Sequence, residues 1–116
     1  MLACRLHGKN DLRIDEVSLD PLGRNQVLVQ ISKGGICGSD LHYFLDGGFG
    51  PIRVTEPIVL GDEIAGVVGE VDDPGCGLQV GDNVAVNPSQ PCNSCHFCSQ
   101  EEYQHCIDMR FLGSAR

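Results

Sequence analysis

Tryptophan is absent from this chain of 116 residues, which also holds only two tyrosines and four phenylalanines. So few large rings leave a modest core, built mainly from aliphatic side chains. No apolar run reaches the roughly 18 residues that a membrane-spanning helix needs. The segment from Met1 to Lys9 likewise lacks the long apolar stretch of a secretory signal. A cytoplasmic setting with no membrane partner is the expectation. Positive charge is scarce as well: eight Lys and Arg against sixteen Asp and Glu give a net charge of −8. That balance repels phosphate backbones and argues against nucleic acid as a partner.

Cysteine and glycine, by contrast, are plentiful. The 15 glycines are roughly twice the usual share of about 7%, so the backbone turns often and tightly. Seven cysteines, an odd number with no export signal, speak for thiolate chemistry or metal rather than a disulfide framework. Apolar residues at 41% and charged residues at 21% match an ordinary globular chain and exclude disorder. The length fits one domain.

The pattern along the chain predicts short strands separated by Gly and Pro turns, with little helix. Strands are expected from Leu2 to Leu6, from Leu12 to Val17, and from Gln26 to Ser32, where Val27, Val29 and Ile31 share one face. Gly34 and Gly35 are expected to interrupt that third strand. Ser39 and Asp40 offer an N-cap for a short helix over Leu41 to Leu45, and the glycines from Gly47 to Gly50 open a loop. Further strands are expected from Glu63 to Val71 and from Val84 to Val86. From Pro88 to Cys106 apolar periodicity disappears, so burial alone cannot hold that segment together. A compact β-barrel with one irregular lobe is the predicted architecture.

That lobe carries Cys92-x2-Cys95-x2-Cys98-x7-Cys106. Thiolates three residues apart on a turning backbone can converge on one ion, and four of them complete a closed tetrahedral zinc site. Metal binding would then replace the missing apolar core, because binding energy there is also folding energy. Four free surface thiols are the ordinary alternative. An iron–sulfur cluster, which would make the chain an electron carrier, is the sharper rival. The ferredoxin run reads C-x2-C-x2-C-x3-C-P, whereas here the last spacing is seven and the proline, Pro91, precedes the first cysteine. Zinc is therefore the expectation, with His96 and His105 as bystanders and Cys4 and Cys76 as idle thiols.

Two further segments carry chemistry. Gly35-Ile36-Cys37-Gly38-Ser39-Asp40 sets one thiol between glycines just past a strand, where bare backbone lets a ligand approach closely. Leu60-Gly61-Asp62-Glu63-Ile64-Ala65-Gly66 sets two adjacent carboxylates at a strand start. Each alone has an ordinary reading: a buried small thiol and a solvated acidic pair.

Together with the lobe, these motifs resemble the N-terminal part of the zinc-dependent medium-chain alcohol and polyol dehydrogenases, in their sorbitol dehydrogenase-like group. The resemblance runs through Gly35-x-Cys37-Gly38-Ser39-Asp40-x-His42-Tyr43, Gly61-x-Glu63-x-x-Gly66, Gly81-Asp82-x-Val84, Asn87-Pro88-Ser89-x-Pro91-Cys92 and the segment from Asp108 to Ala115. It implies an incomplete GroES-like β-barrel with a structural zinc lobe over residues 88–110. It also implies a catalytic zinc held by Cys37, with Glu63 beside the metal. Ser39 would pass the alcohol proton towards solvent, and His42 and Tyr43 would border the cleft. The implied substrate is a small polyol or sugar acid, L-idonate in particular, with NAD or NADP as cofactor and a homo-oligomer as the assembled enzyme.

Three departures qualify what the resemblance implies. The family reads Gly-His-Glu where this chain reads Gly61-Asp62-Glu63. Aspartate can ligate zinc through oxygen at about 2.0–2.2 Å, giving a harder, less Lewis-acidic site; otherwise the site is weak. Ligation by Asp62 is the reading taken. Asp72 stands where the family has a small residue, which touches a turn and not the chemistry. Third, the sequence ends at Arg116 with no Gly-x-Gly-x-x-Gly turn in the strand-then-helix setting a dinucleotide needs. The 116 residues are thus expected to be the front third of an enzyme, inactive alone and without a Rossmann domain. A stand-alone zinc module for binding or scaffolding is the competing expectation. Arg110, next to Phe111, offers a bidentate partner for a substrate carboxylate, its ordinary role being a surface pair with Asp108.

Overall fold

The computed structural model describes residues 1–115. Strand β1 (Leu2–Gly8) turns through Lys9 and Asn10 into β2 (Asp11–Glu16). Asn10 takes the left-handed conformation in this turn, φ 59°, which asparagine tolerates. The hairpin register runs from Leu2 opposite Glu16 to Leu6 opposite Leu12, with a bulge before Gly8. Strand β3 (Val27–Gly34) continues past the glycine expected to interrupt it, because Gly34 is still paired in the ladder.

Helix α1 spans Gly38–Asp46. It starts earlier than its sequence signal suggested: Cys37 is the N-cap, and Asp40 lies inside the first turn. The helix ends at Gly47, whose φ of 71° provides a left-handed C-cap. The glycine-rich stretch that follows is not an open loop but a miniature hairpin of β4 (Gly48–Phe49) and β5 (Ile52–Arg53). Strand β6 (Ile58–Val59), which had no clear sequence signal, adds to the free edge of β1. Strand β7 (Ile64–Val71) pairs antiparallel with β3 on one side and with β8 (Asn83–Ala85) on the other. Gly66 is essential to this sheet: a Cβ there would overlap the backbone carbonyl of Gln30 on β3.

The segment expected to be irregular contains β9 (Ser89–Gln90), the short helix α2 (His96–Ser99), a 3-10 turn at Tyr103–His105 and β10 (Arg110–Phe111). Strands β9 and β10 pair and close the base of the lobe. Among the described residues the strands form four separate sheets, with orders β2-β1-β6, β3-β7-β8, β4-β5 and β10-β9. They do not close into the compact barrel that the strand pattern predicted, because no strand among the described residues links the β2-β1-β6 and β3-β7-β8 sheets; the open arrangement is in keeping with the incomplete barrel that the resemblance implied. The core is small, as the scarcity of rings implied: Leu6, Tyr43, Val68 and Cys98 are its buried apolar side chains. The Cα radius of gyration is 15.6 Å, against about 13 Å for a compact domain of this length.

Candidate metal centres

The lobe's backbone folds so that its four thiols meet. Asn93, directly after Cys92, takes φ 56° and reverses the chain. Cys95 caps α2, which carries Cys98 round to the same side, and the 3-10 turn ends by delivering Cys106. The Sγ atoms of Cys92, Cys95, Cys98 and Cys106 all lie within 4.8 Å of one another. Cys92 and Cys98 sulfurs are 4.0 Å apart, and Cys95 and Cys98 sulfurs 3.5 Å. Four sulfurs at about 2.3 Å from a tetrahedral zinc stand about 3.8 Å from each other, a spacing that the two shorter sulfur pairs bracket.

Local donors favour the thiolate at Cys92 and Cys95. The Ser94 hydroxyl, 3.5 Å from the Cys92 sulfur, and nearby backbone N–H groups draw the Cys92 thiol down to about 6. The N–H groups of Cys98 and Ile107 lower Cys95. Burial pushes Cys98, the innermost of the four, up to about 12. The Cys92 N–H donates to the Cys106 sulfur at 3.2 Å. His96 and His105 are both exposed and flank the Phe97 ring at 5.6 and 5.8 Å rather than turning into the cage.

The second group of sequence candidates is brought near but not gathered. Cys37 is half-buried at the head of α1, with Ser39 in the first turn beyond it. Asp62 is half-buried, and its Oδ1 is shielded from solvent with no hydrogen-bond partner. A shielded carboxylate oxygen without a partner costs free energy, which is the condition of a donor shaped for an ion. Glu63 lies against Gly35, where a Cβ would overlap its carboxylate, and the Gly35 N–H donates to the Glu63 carbonyl at 2.7 Å. Asp62 and Glu63 border a cavity of about 540 Å³ together with Lys33. The ligand atoms of Cys37, Asp62 and Glu63 do not all lie within 4.8 Å of one another; among the described residues only the four lobe cysteines meet that measure.

The residues expected around a substrate are placed unevenly. Arg110 and Phe111 are exposed on β10, and no Arg110–Asp108 ion pair forms among the described residues. Tyr43 is only 2% exposed, and its hydroxyl lies 2.8 Å from Ser114 Oγ, while the Ala115 N–H reaches it at 3.4 Å. Its ring therefore packs inside the fold instead of lining an open cleft. His42 is exposed and pairs with Asp46 at 3.1 Å.

One organising residue was read from the sequence only as a helix cap. Asp40, 8% exposed, accepts the Cys37 N–H at 2.9 Å and the Gly61 N–H at 3.1 Å. The first bond is half of a capping box, legible as an acidic residue three places after the cap. The second links residues 21 apart and has no sequence signal.

Residues 23–115 match the family of the alcohol dehydrogenase GroES-like domain. The chain is 42% identical over 113 residues to L-idonate 5-dehydrogenase (NAD(P)(+)) of Escherichia coli, covering 97% of this chain and 32% of that protein. It is 41% identical over 112 residues to a sorbitol dehydrogenase of Bombyx mori, with the same coverage. The crystal structure of the E. coli L-idonate 5-dehydrogenase superposes with a TM-score of 0.89 at 43% identity, over 98% of this chain and 32% of that one. The chain thus spans about a third of the length of the relatives it matches.

Proposed function

The chain belongs to the alcohol dehydrogenase GroES-like domain family, and on that premise we propose that it is the metal-binding part of a zinc-dependent polyol or aldonate dehydrogenase. The reaction is oxidation of a secondary alcohol with NAD or NADP as hydride acceptor, and the favoured conversion is L-idonate to 5-keto-D-gluconate. The observation that carries this reading is the cage of four sulfurs at zinc spacing in the lobe. Apart from it, the Cys37 thiol and the Asp62 and Glu63 carboxylates lie just beyond the paired ends of β3 and β7. The names of the relatives, an idonate and a sorbitol dehydrogenase, supply the substrate class.

Cys92, Cys95, Cys98 and Cys106 hold a structural ion that fixes the lobe. Cys37, Asp62 and Glu63 hold the second one, with Asp62 Oδ1 supplying the donor that histidine would otherwise provide. Zinc bound there acts as a Lewis acid towards a substrate oxygen. Ser39, a hydroxyl that both donates and accepts, relays the carbinol proton towards solvent. Arg110 pairs with the carboxylate of a sugar acid, and its guanidinium has no ion-pair partner among the described residues to compete for it. Phe111 beside it packs on the carbon chain. The intact enzyme is a homo-oligomer in this reading.

A stand-alone zinc module remains the second reading, favoured by one observation: the donors of the second group are not gathered. Steady-state assays on the intact protein separate the two. Activity on L-idonate that Cys37→Ser abolishes, and that Arg110→Ala lowers at least tenfold more on L-idonate than on sorbitol, supports the enzyme and its substrate. Equal losses from Arg110→Ala on both substrates remove its carboxylate role. Absence of activity on any polyol or aldonate, in a protein fully loaded with metal, favours the module.

A further inference from the structure

We propose that the second metal group discriminates little between zinc and a harder divalent ion, so that it accepts manganese(II) where the lobe selects zinc. The proposal rests on the reading of Cys37, Asp62 and Glu63 as ligands and concerns the ion they choose. Four thiolates, as in the lobe, are a soft donor set that favours zinc, whereas carboxylate oxygens suit magnesium, calcium and manganese. The second group offers two carboxylates and a single thiol. Its sulfur disfavours magnesium and calcium, which take oxygen ligands. Manganese(II) is the harder ion that suits the whole set.

Three observations put the weight on the oxygens. Asp62 Oδ1 is shielded from solvent and has no hydrogen-bond partner, so it is the donor with most to gain from a cation. Neither Asp62 nor Glu63 forms an ion pair among the described residues, although Lys33 borders the cavity they share. Two adjacent carboxylates are thus left for a divalent ion to neutralise. The ligand atoms of Cys37, Asp62 and Glu63 also do not all lie within 4.8 Å of one another, as those of the lobe do. A closed tetrahedral ion needs its donors that near. An octahedral ion that keeps several waters spans donors set wider apart.

Asp62 is the residue that sets the preference. Histidine in its place would offer a neutral imidazole nitrogen, a donor suited to zinc, and would remove one of the two adjacent negative charges. Zinc outranks manganese at sites of nitrogen, oxygen and sulfur generally, so the preference is read as a ratio of affinities rather than as an order.

The test uses the intact protein, stripped by a chelator and reloaded with one zinc per chain to fill the lobe. Manganese(II) is titrated while the electron paramagnetic resonance signal of the free ion is followed, buffered zinc then displaces it, and native mass spectrometry counts the ions. One manganese should bind per chain, and the ratio of zinc to manganese affinity should rise at least tenfold in Asp62→His. Asp62→Asn, which keeps the shape and loses the charge, should bind manganese at least tenfold more weakly; it decides the matter should the histidine variant fail to fold. Both variants should retain the lobe zinc. A second zinc taken up by a protein that binds no manganese overturns the proposal, as does an equal ratio in wild type and Asp62→His or undiminished manganese binding in Asp62→Asn. Each of these leaves the ligand reading standing. A wild type that takes up neither ion beyond the lobe zinc sinks the ligand reading itself, and the proposal with it.

Discussion

Cys98 is the innermost lobe thiol, and burial pushes its proton affinity up to about 12, whereas Ser94 and backbone donors draw Cys92 down to about 6. A zinc ion arriving near neutral pH must therefore expel the Cys98 proton but finds Cys92 already largely ionised. Because protons compete with the ion, affinity should fall as pH drops. Calorimetry in buffers of different ionisation enthalpy should count fewer than four protons released per zinc, fewer still in Cys98→Ser, and an unchanged count in Cys92→Ser. Affinity independent of pH would contradict the shared-proton picture. At this scale the sequence was highly legible for the cysteines, since ligand spacing is local. Asp40 was legible only in part: its bond to Cys37 follows from a three-residue spacing, while its bond to Gly61 depends on how β3 and β7 leave their ladder.

Helix α1 is the element through which the parts of the site are joined. Asp40 ties it to Gly61, and Tyr43, one turn on, ties it to Ser114 beyond the lobe. Tyr43→Phe keeps the buried ring and deletes only the hydroxyl. It should cost about 0.5–1.5 kcal/mol, read by denaturant unfolding, and raise exchange at the Ala115 amide. A stability equal to wild type would show that the hydroxyl does not anchor the 114–115 segment. Long strands were readable from alternation, as Val27, Val29 and Ile31 on β3 show. The two-residue strands β4, β5, β6, β9 and β10 were not, because so short a pairing is decided by what packs around it. Helix α1 began before its expected start for a related reason: the cap is a cysteine, a residue with no capping preference, and the acidic partner three places on carried the signal instead.

The whole molecule has little apolar core for its length: Leu6, Tyr43, Val68 and Cys98 are buried, while Leu2, Ile14, Ile36 and Val80 are all more than 60% exposed. The sheets stay open, and the chain is more extended than a self-contained domain of its size. Strand spacing suggested a compact barrel and only the family resemblance implied an incomplete one; the division into four sheets was readable from neither, since sheet membership depends on contacts distant in sequence. With so little burial in the lobe, a bound metal is the proposed source of its cohesion. The most direct test is metal analysis of the intact protein by native mass spectrometry, before and after a strong chelator, with hydrogen exchange read over residues 88–110. We expect one zinc bound through the four cysteines. Its removal should abolish protection across the lobe while β3 and β7 stay protected, and zinc should restore it. A lobe equally protected without metal, or one that holds iron and sulfide instead, would contradict the zinc-built lobe on which the proposed function stands.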